Sequence, residues 1–246
     1  IIITVVDIQD VVPILNRKFK NVKWIALGEY LNSEKVTETI NLTNEKDDFV
    51  AYSLKAVEMC QKAYIYKDKG FLRSVDIVIS EKCSLKCKDC SNLMQFYKSA
   101  KNFTADSIKE DFEKLTSKIS HIYEVRLIGG EPFMNKEIYE ILDYFCRHNK
   151  ITKLVVYTNG TIPLKEDRLK NFINTKLVFT ITDYGNLSKN TDKVHNSLIK
   201  LNIPNRRHPP ENWTDSGRIE DFKRSESEMT ELFDVCCGKN LYTSMY

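Results

Sequence analysis

The sequence predicts an α/β fold: parallel strands joined by helical crossovers, with a small α/β unit ahead of the main one. Three observations carry this. From Leu72 onward, short apolar runs of strand type alternate with segments of helical spacing, the order expected of a parallel sheet. Residues suited to chemistry stand where such sheets place their sites, after the strands: the cysteines beyond Ser80, then Gly129–Pro132, Thr158–Gly160 and Asp183–Gly185. The turn-forming stretch from Lys67 to Gly70 separates this region from what precedes it, so residues 1–71 and 72–246 read as two domains.

The first domain opens on a strand, Ile1–Val6. Asp7–Phe19 carries Ile8, Val11, Val12 and Leu15 at helical spacing, with Pro13 forced into the first turn or into a kink. Val22–Leu27 is a second strand, stopped by Gly28; Glu45–Cys60 has helical character, and Ala63–Tyr66 reads as a third short strand. Asp7 sits after a strand like the ribose-binding acid of dinucleotide folds, but no G-x-G-x-x-G accompanies it. An accessory packing or substrate-recognition domain, or the remnant of a Rossmann-like one, suits the segment better. Cys60 stands alone, as a small buried hydrophobe does.

In the second domain the predicted strands are Val75–Ser80, Tyr123–Ile128, Leu154–Tyr157 and Leu177–Thr182, a short one starting at Ile203, and Leu241–Tyr246. Helices are predicted from the N-cap residues Thr104–Ser107 to Ile119, and over Asn135–His148, Leu164–Ile173, Leu187–Leu201 and Ser225–Phe233. Ile138, Ile141, Leu142 and Phe145 share one face of the second.

Composition narrows the classes. Of 246 residues, 42% are hydrophobic and 29% charged, as in ordinary globular chains. A net charge of +3 argues for neither nucleic acid nor membrane as partner. No apolar run approaches the roughly 20 residues that span a bilayer. The start lacks the basic and small-residue features of a signal peptide, and it lacks Met, so the natural chain is expected to extend further. The odd count of 7 cysteines, three of them in one tight motif, points away from a disulfide scaffold and to the reducing cytoplasm.

That motif is Cys83, Cys87 and Cys90, spaced C-x3-C-x2-C directly after a strand. Thiolates are preferred ligands of iron–sulfur clusters and of zinc. Three of them leave one coordination position open: a catalytic or shared zinc, or a four-iron cluster with one free iron.

The motif resembles the cluster motif of the radical S-adenosylmethionine (SAM) enzymes. Gly129-Gly130-Glu131-Pro132, at the end of a predicted second barrel strand, resembles the Gly-Gly-Glu-Pro segment of the same family. The resemblance covers about residues 72–246 and implies a partial (β/α)6 barrel. It departs at Asp89, where the family usually has an aromatic residue against the SAM adenine.

The resemblance implies that Cys83, Cys87 and Cys90 hold a 4Fe-4S cluster whose open iron binds SAM. Reductive cleavage of SAM would then give a 5′-deoxyadenosyl radical that removes hydrogen from a substrate. Gly129 and Gly130 would let the backbone approach SAM, Glu131 would add negative charge nearby, and Pro132 would fix the turn. Thr158 and Asn159 would meet SAM or substrate, or simply form an Asn-Gly turn. Thr180, Thr182 and Asp183 resemble the group that holds the SAM ribose, with Asp183 able to accept from two hydroxyls.

Further along, Arg206 or Arg207 is placed to meet a carboxylate or phosphate. His121, His148 and His195 read as structural. Cys236 and Cys237 resemble the start of the second cysteine group of the SPASM and twitch branch, which carries an auxiliary iron–sulfur cluster. That branch implies a peptide or sugar-derived substrate, with flavodoxin or ferredoxin as electron donor. Two other readings stay open: a non-catalytic zinc or iron–sulfur module, and a degenerate SAM-binding scaffold.

Overall fold

A computed structural model describes residues 2–3, 8–19, 23, 25–26, 57, 61–62, 65, 70–88, 90, 92–210, 222–234 and 242–244. Near the start, β1 (Ile2–Ile3) and β2 (Ile25–Ala26) pair in parallel across α1 (Ile8–Lys18), the expected β-α-β unit. Pro13 lies inside α1 rather than in its first turn, and Val12 is buried. Of the third strand expected over Ala63–Tyr66 only Ile65 is among the described residues, and it is helical, as are Gln61 and Lys62. Val57, Gln61 and Ile65 recur every fourth residue, a helical period that four residues read alone conceal. Asp7, Cys60 and nearly all of Glu45–Cys60 lie outside the described residues.

The main sheet contains β3 (Phe71–Ser80), β4 (His121–Gly129), β5 (Ile151–Thr158), β6 (Leu177–Thr182), β7 (Asn205–His208) and β8 (Tyr242–Ser244). Every pairing is parallel, in the order β7-β6-β5-β4-β3-β8. The last strand joins β3, with Val75 opposite Tyr242, rather than following β7. At 10 residues, β3 offers a long edge whose backbone groups need partners.

Period-2 alternation gives the sheet two unlike faces. One carries Ile77, Ile79, Leu127, Leu154, Val156, Phe179 and Ile181, all buried. Against it pack α2 (Ala105–Thr116) through Ile108 and Phe112, α3 (Ile138–Arg147) through Ile141, Leu142 and Phe145, and α5 (Thr191–Lys200) through Val194 and Leu198. The opposite face carries Asp76, Arg126, Tyr157 and Thr182. Together with His208 they bring five consecutive strands around one cleft, as in an open barrel.

The helices start where side-chain bonds permit. Thr104 caps α2, its hydroxyl accepting from the Ser107 amide at 3.2 Å. The helix expected from Asn135 begins at Ile138, because Pro132–Met134 forms a 3-10 turn and the Asn135 side chain is engaged elsewhere. Buried Asn135 donates to the carbonyls of Ile79 (2.7 Å) and Phe103 (2.9 Å) and accepts from the Glu137 amide (2.9 Å). One amide thereby joins the end of β3 to the starts of α2 and α3. The third expected helix shrinks to α4 (Glu166–Leu169) plus a 3-10 turn; α6 (Glu226–Asp234) forms as expected.

Candidate cofactor site

The loop after β3 carries Cys83, Cys87 and Cys90, all free and half-buried. They line a cleft of about 500 Å³ together with Gly129, Gly130, Thr158, Asn159 and Thr182 from the neighbouring strand ends. Burial pushes the Cys83 and Cys87 thiols above their ordinary range, so a metal centre would displace protons on binding. The Cys83 sulfur accepts from the Leu85 amide at 3.4 Å and from the Asn159 amide group at 3.8 Å.

The two glycines have a nearer reason for lacking a side chain than the approach of a cofactor. A Cβ on Gly130 would stand 2.2 Å from the Lys82 carbonyl oxygen and 2.8 Å from the Cys83 Cβ; one on Gly129 would stand 2.2 Å from the Ser80 oxygen. The amides of Gly130 and Glu131 donate to Ser80 and Lys82, each at 2.8 Å. The glycine pair therefore lies flat against the backbone that leads into the cysteine loop.

Glu131 is not an open charge beside the cleft. It is 0% exposed and accepts from the amides of Phe133 (3.1 Å) and Asn159 (2.8 Å) and the Thr158 hydroxyl (2.9 Å). Burial pushes its carboxyl up to about 7, against those three bonds, which favour the charge. It braces the turn after β4 to the rim of β5. Pro132 is buried beside it.

Thr158-Asn159-Gly160 is both a turn and part of the rim. Gly160 has φ +68°, and a Cβ there would meet the Thr191 hydroxyl at 2.5 Å. Asn159 lines the cleft and donates to the Ser84 hydroxyl at 3.1 Å. Thr180 and Asp183 are not among the lining residues. The Asp183 carboxylate accepts from Arg207 Nη2 (2.6 Å) and Nε (3.0 Å) and from the Gly185 amide (2.9 Å). Burial works to raise its pKa, but those partners prevail and hold it below the usual carboxylate range. Arg207 also bonds Asp192 at 2.7 Å, which leaves it engaged on both sides.

The histidines expected to be structural are so placed. His121 stacks on Phe71, His148 meets Phe112 edge-on, and His195 bonds Asn205 at 2.7 Å. Cys236, Cys237 and Asp89 lie outside the described residues.

Among the lining residues that were not foreseen are Asp76, Arg126 and Tyr157, whereas Tyr184 and His208 belong to the Asp183–Gly185 turn and to the stretch after Ile203 that were expected at this rim. Arg126 Nε donates to Asp76 on the next strand, directly opposite in register. Burial pushes the Asp76 carboxyl up and Arg126 offsets only part of that. A signal was present: parallel strands covered on both faces are nearly all apolar, whereas β3 and β4 carry Asp76, Glu124 and Arg126 mid-strand.

Comparison with known proteins agrees with the two motifs. GTP 3',8-cyclase of Clostridium acetobutylicum is 30% identical over 148 residues, 53% of this chain and 45% of that protein. The antilisterial bacteriocin subtilosin biosynthesis protein AlbA of Bacillus subtilis is 29% identical over 124 residues, 49% of this chain and 25% of the other. The chain thus spans less than half the length of these relatives. The solved structure of Streptococcus suis SuiB bound to S-adenosylmethionine superposes with a TM-score of 0.41 at 14% identity, over 89% of this chain and 59% of that one. The family profile described as the radical SAM superfamily matches residues 77–216, more than half of the chain, and takes in both motifs. The chain belongs to the radical SAM superfamily.

Proposed function

We propose that this chain is the core of a radical SAM enzyme that holds a four-iron–four-sulfur cluster on Cys83, Cys87 and Cys90 and acts on a peptide or sugar-derived substrate. The observation that carries the reading is one cleft shared by three free cysteines and the glycine pair packed against their loop. The donor set suits such a cluster. Three thiols on one short loop, lining one cleft, suit a body that takes one iron per cysteine.

When bound, the cluster and SAM supply one-electron cleavage of the sulfonium to a 5′-deoxyadenosyl radical. The protein's part is placement. Gly129 and Gly130 let the backbone of the cleft rim lie flat against the cysteine loop, beside which SAM would bind. Thr158, Asn159 and Thr182 offer hydrogen bonds beside it. Below, Asp76, Arg126, Tyr157 and His208 give the substrate a polar floor, suited to amide or hydroxyl groups. The apolar face and its helices close the other side of the sheet to water.

Relatives include AlbA and, at 26% identity, the PqqA peptide cyclase of Bradyrhizobium diazoefficiens, whose names support a peptide substrate. A flavodoxin- or ferredoxin-type donor in a reducing cytoplasm fits the chemistry. No helix among the described residues is long and apolar enough to cross a membrane.

Anaerobic reconstitution with iron and sulfide, followed by reduction with SAM, tests the reading. The expected result is a brown protein that releases 5′-deoxyadenosine, with cluster and release both lost in Cys87→Ala. A cluster without that release would leave only a SAM-binding scaffold. A Cys87→Ala protein that still produced it would overturn the ligand assignment.

A further inference from the structure

Two residues on neighbouring strand ends reach the cysteine sulfurs, and neither belongs to the cysteine loop. Asn159, beyond β5, donates its side-chain amide to the Cys83 sulfur at 3.8 Å. Tyr184, beyond β6, lines the same cleft as Cys87, with its hydroxyl near enough to the Cys87 sulfur to interact with it. The two are braced to each other through one buried hydroxyl. Ser188 Oγ accepts from the Tyr184 amide at 2.9 Å and donates to the Asn159 carbonyl at 2.6 Å. The Tyr184 carbonyl also starts the 3-10 turn at Gly185–Leu187, accepting from the Leu187 amide at 3.4 Å. The backbone that carries both donors is therefore fixed before any ligand arrives.

From this arrangement we propose that Asn159 and Tyr184 are positioning residues for the cluster. They donate hydrogen bonds to the sulfurs of Cys83 and Cys87, Ser188 holds the pair in place, and together they raise the cluster's reduction potential. The proposal rests on the iron–sulfur reading above. Its physical basis is charge. A donor aimed at a ligating thiolate stabilises negative charge on sulfur, and the reduced cluster carries one electron more than the oxidised one. Such bonds are among the levers that set these potentials. Removing a donor destabilises the reduced form more than the oxidised form, so the potential falls.

The test is a redox titration of the reconstituted full chain, followed by electron paramagnetic resonance, with iron content and melting temperature measured in parallel. The variants are Tyr184→Phe, Asn159→Ala and Ser188→Ala. Tyr144→Phe, whose hydroxyl bonds Glu113 on the far side of the helices, is the control. At a fixed poise, Tyr184→Phe and Asn159→Ala are each expected to lower the ratio of reduced to oxidised cluster several-fold, a tenfold change being 59 mV for one electron. Ser188→Ala shifts it the same way, and Tyr144→Phe leaves it unchanged. Loss of the cluster from Tyr184→Phe alone, with its melting unaltered, also supports the contact, because only a hydroxyl is missing. Full cluster content with unchanged potential in both Tyr184→Phe and Asn159→Ala overturns the proposal. An unmodified chain that assembles no cluster overturns the iron–sulfur reading itself, and this proposal falls with it.

Discussion

The carboxylate of Glu131 accepts the backbone amide of Asn159 at 2.8 Å, and this one bond couples two strand ends that meet at the cleft. Glu131→Gln replaces one accepting oxygen with an NH2 group that faces a donor. An unsatisfied buried group costs about 1–3 kcal/mol. The variant is expected to unfold at lower denaturant by that amount with an unchanged m-value, measured by urea titration of the cluster-free protein.

The same carboxyl makes stability depend on pH. Its ordinary value is 4.5, and burial raises it to about 7 in the folded chain. Between those values the folded chain holds a proton that the unfolded chain has released. Raising the pH through that window therefore removes stability, on the order of 3 kcal/mol in all. Unfolding free energies of the unmodified chain and of Glu131→Gln, measured from pH 4.5 to 8, are expected to show a slope in their difference over that window. Parallel curves would contradict the assignment.

Gly130→Ala drives a Cβ into the Lys82 carbonyl oxygen at 2.2 Å, so the loop bearing Cys83 has to move. Iron bound per chain after reconstitution is expected to fall well below that of the parent. Gly185→Ala is the contrast: φ is +60° there but no atom lies within 4 Å. Its cost is about 1–2 kcal/mol of backbone strain, with iron content intact.

Arg126→Met leaves the Asp76 carboxylate without its partner in a mostly buried place. Breaking such a pair costs about 3–5 kcal/mol. Adding Asp76→Leu to Arg126→Met is expected to recover much of that loss in thermal unfolding, while the floor of the cleft loses both of those charged groups.

The strand–helix order was legible because each segment carries its own period. Val75–Ser80 and the face formed by Ile138, Ile141, Leu142 and Phe145 need no distant partner to be recognised. The cysteines and the glycine pair were legible because their chemistry depends on spacing. What escaped depends on contacts between separate elements. The pairing of Asp183 with Arg207, 24 residues on, is one such contact. Which face of β3 and β4 turns inward is a register question, so Asp76 and Arg126 could not be placed at the cleft. Tyr184 and Ser188 matter only because β5 and β6 are neighbours, and the pairing of β8 with β3 follows from an open edge that no local pattern announces.

The two faces of the sheet put opposite demands on one set of strands. Aliphatic residues in place of Asp76, Glu124, Arg126 and Tyr157 would make a sturdier molecule, because charges shielded from water stabilise a fold less than well-packed hydrocarbon does. Such a molecule would lack the polar groups that line the cleft. Sturdiness was given up on the hollow side, so laboratory selection for heat resistance with activity retained should spare those four positions and gather its changes on the helices behind them.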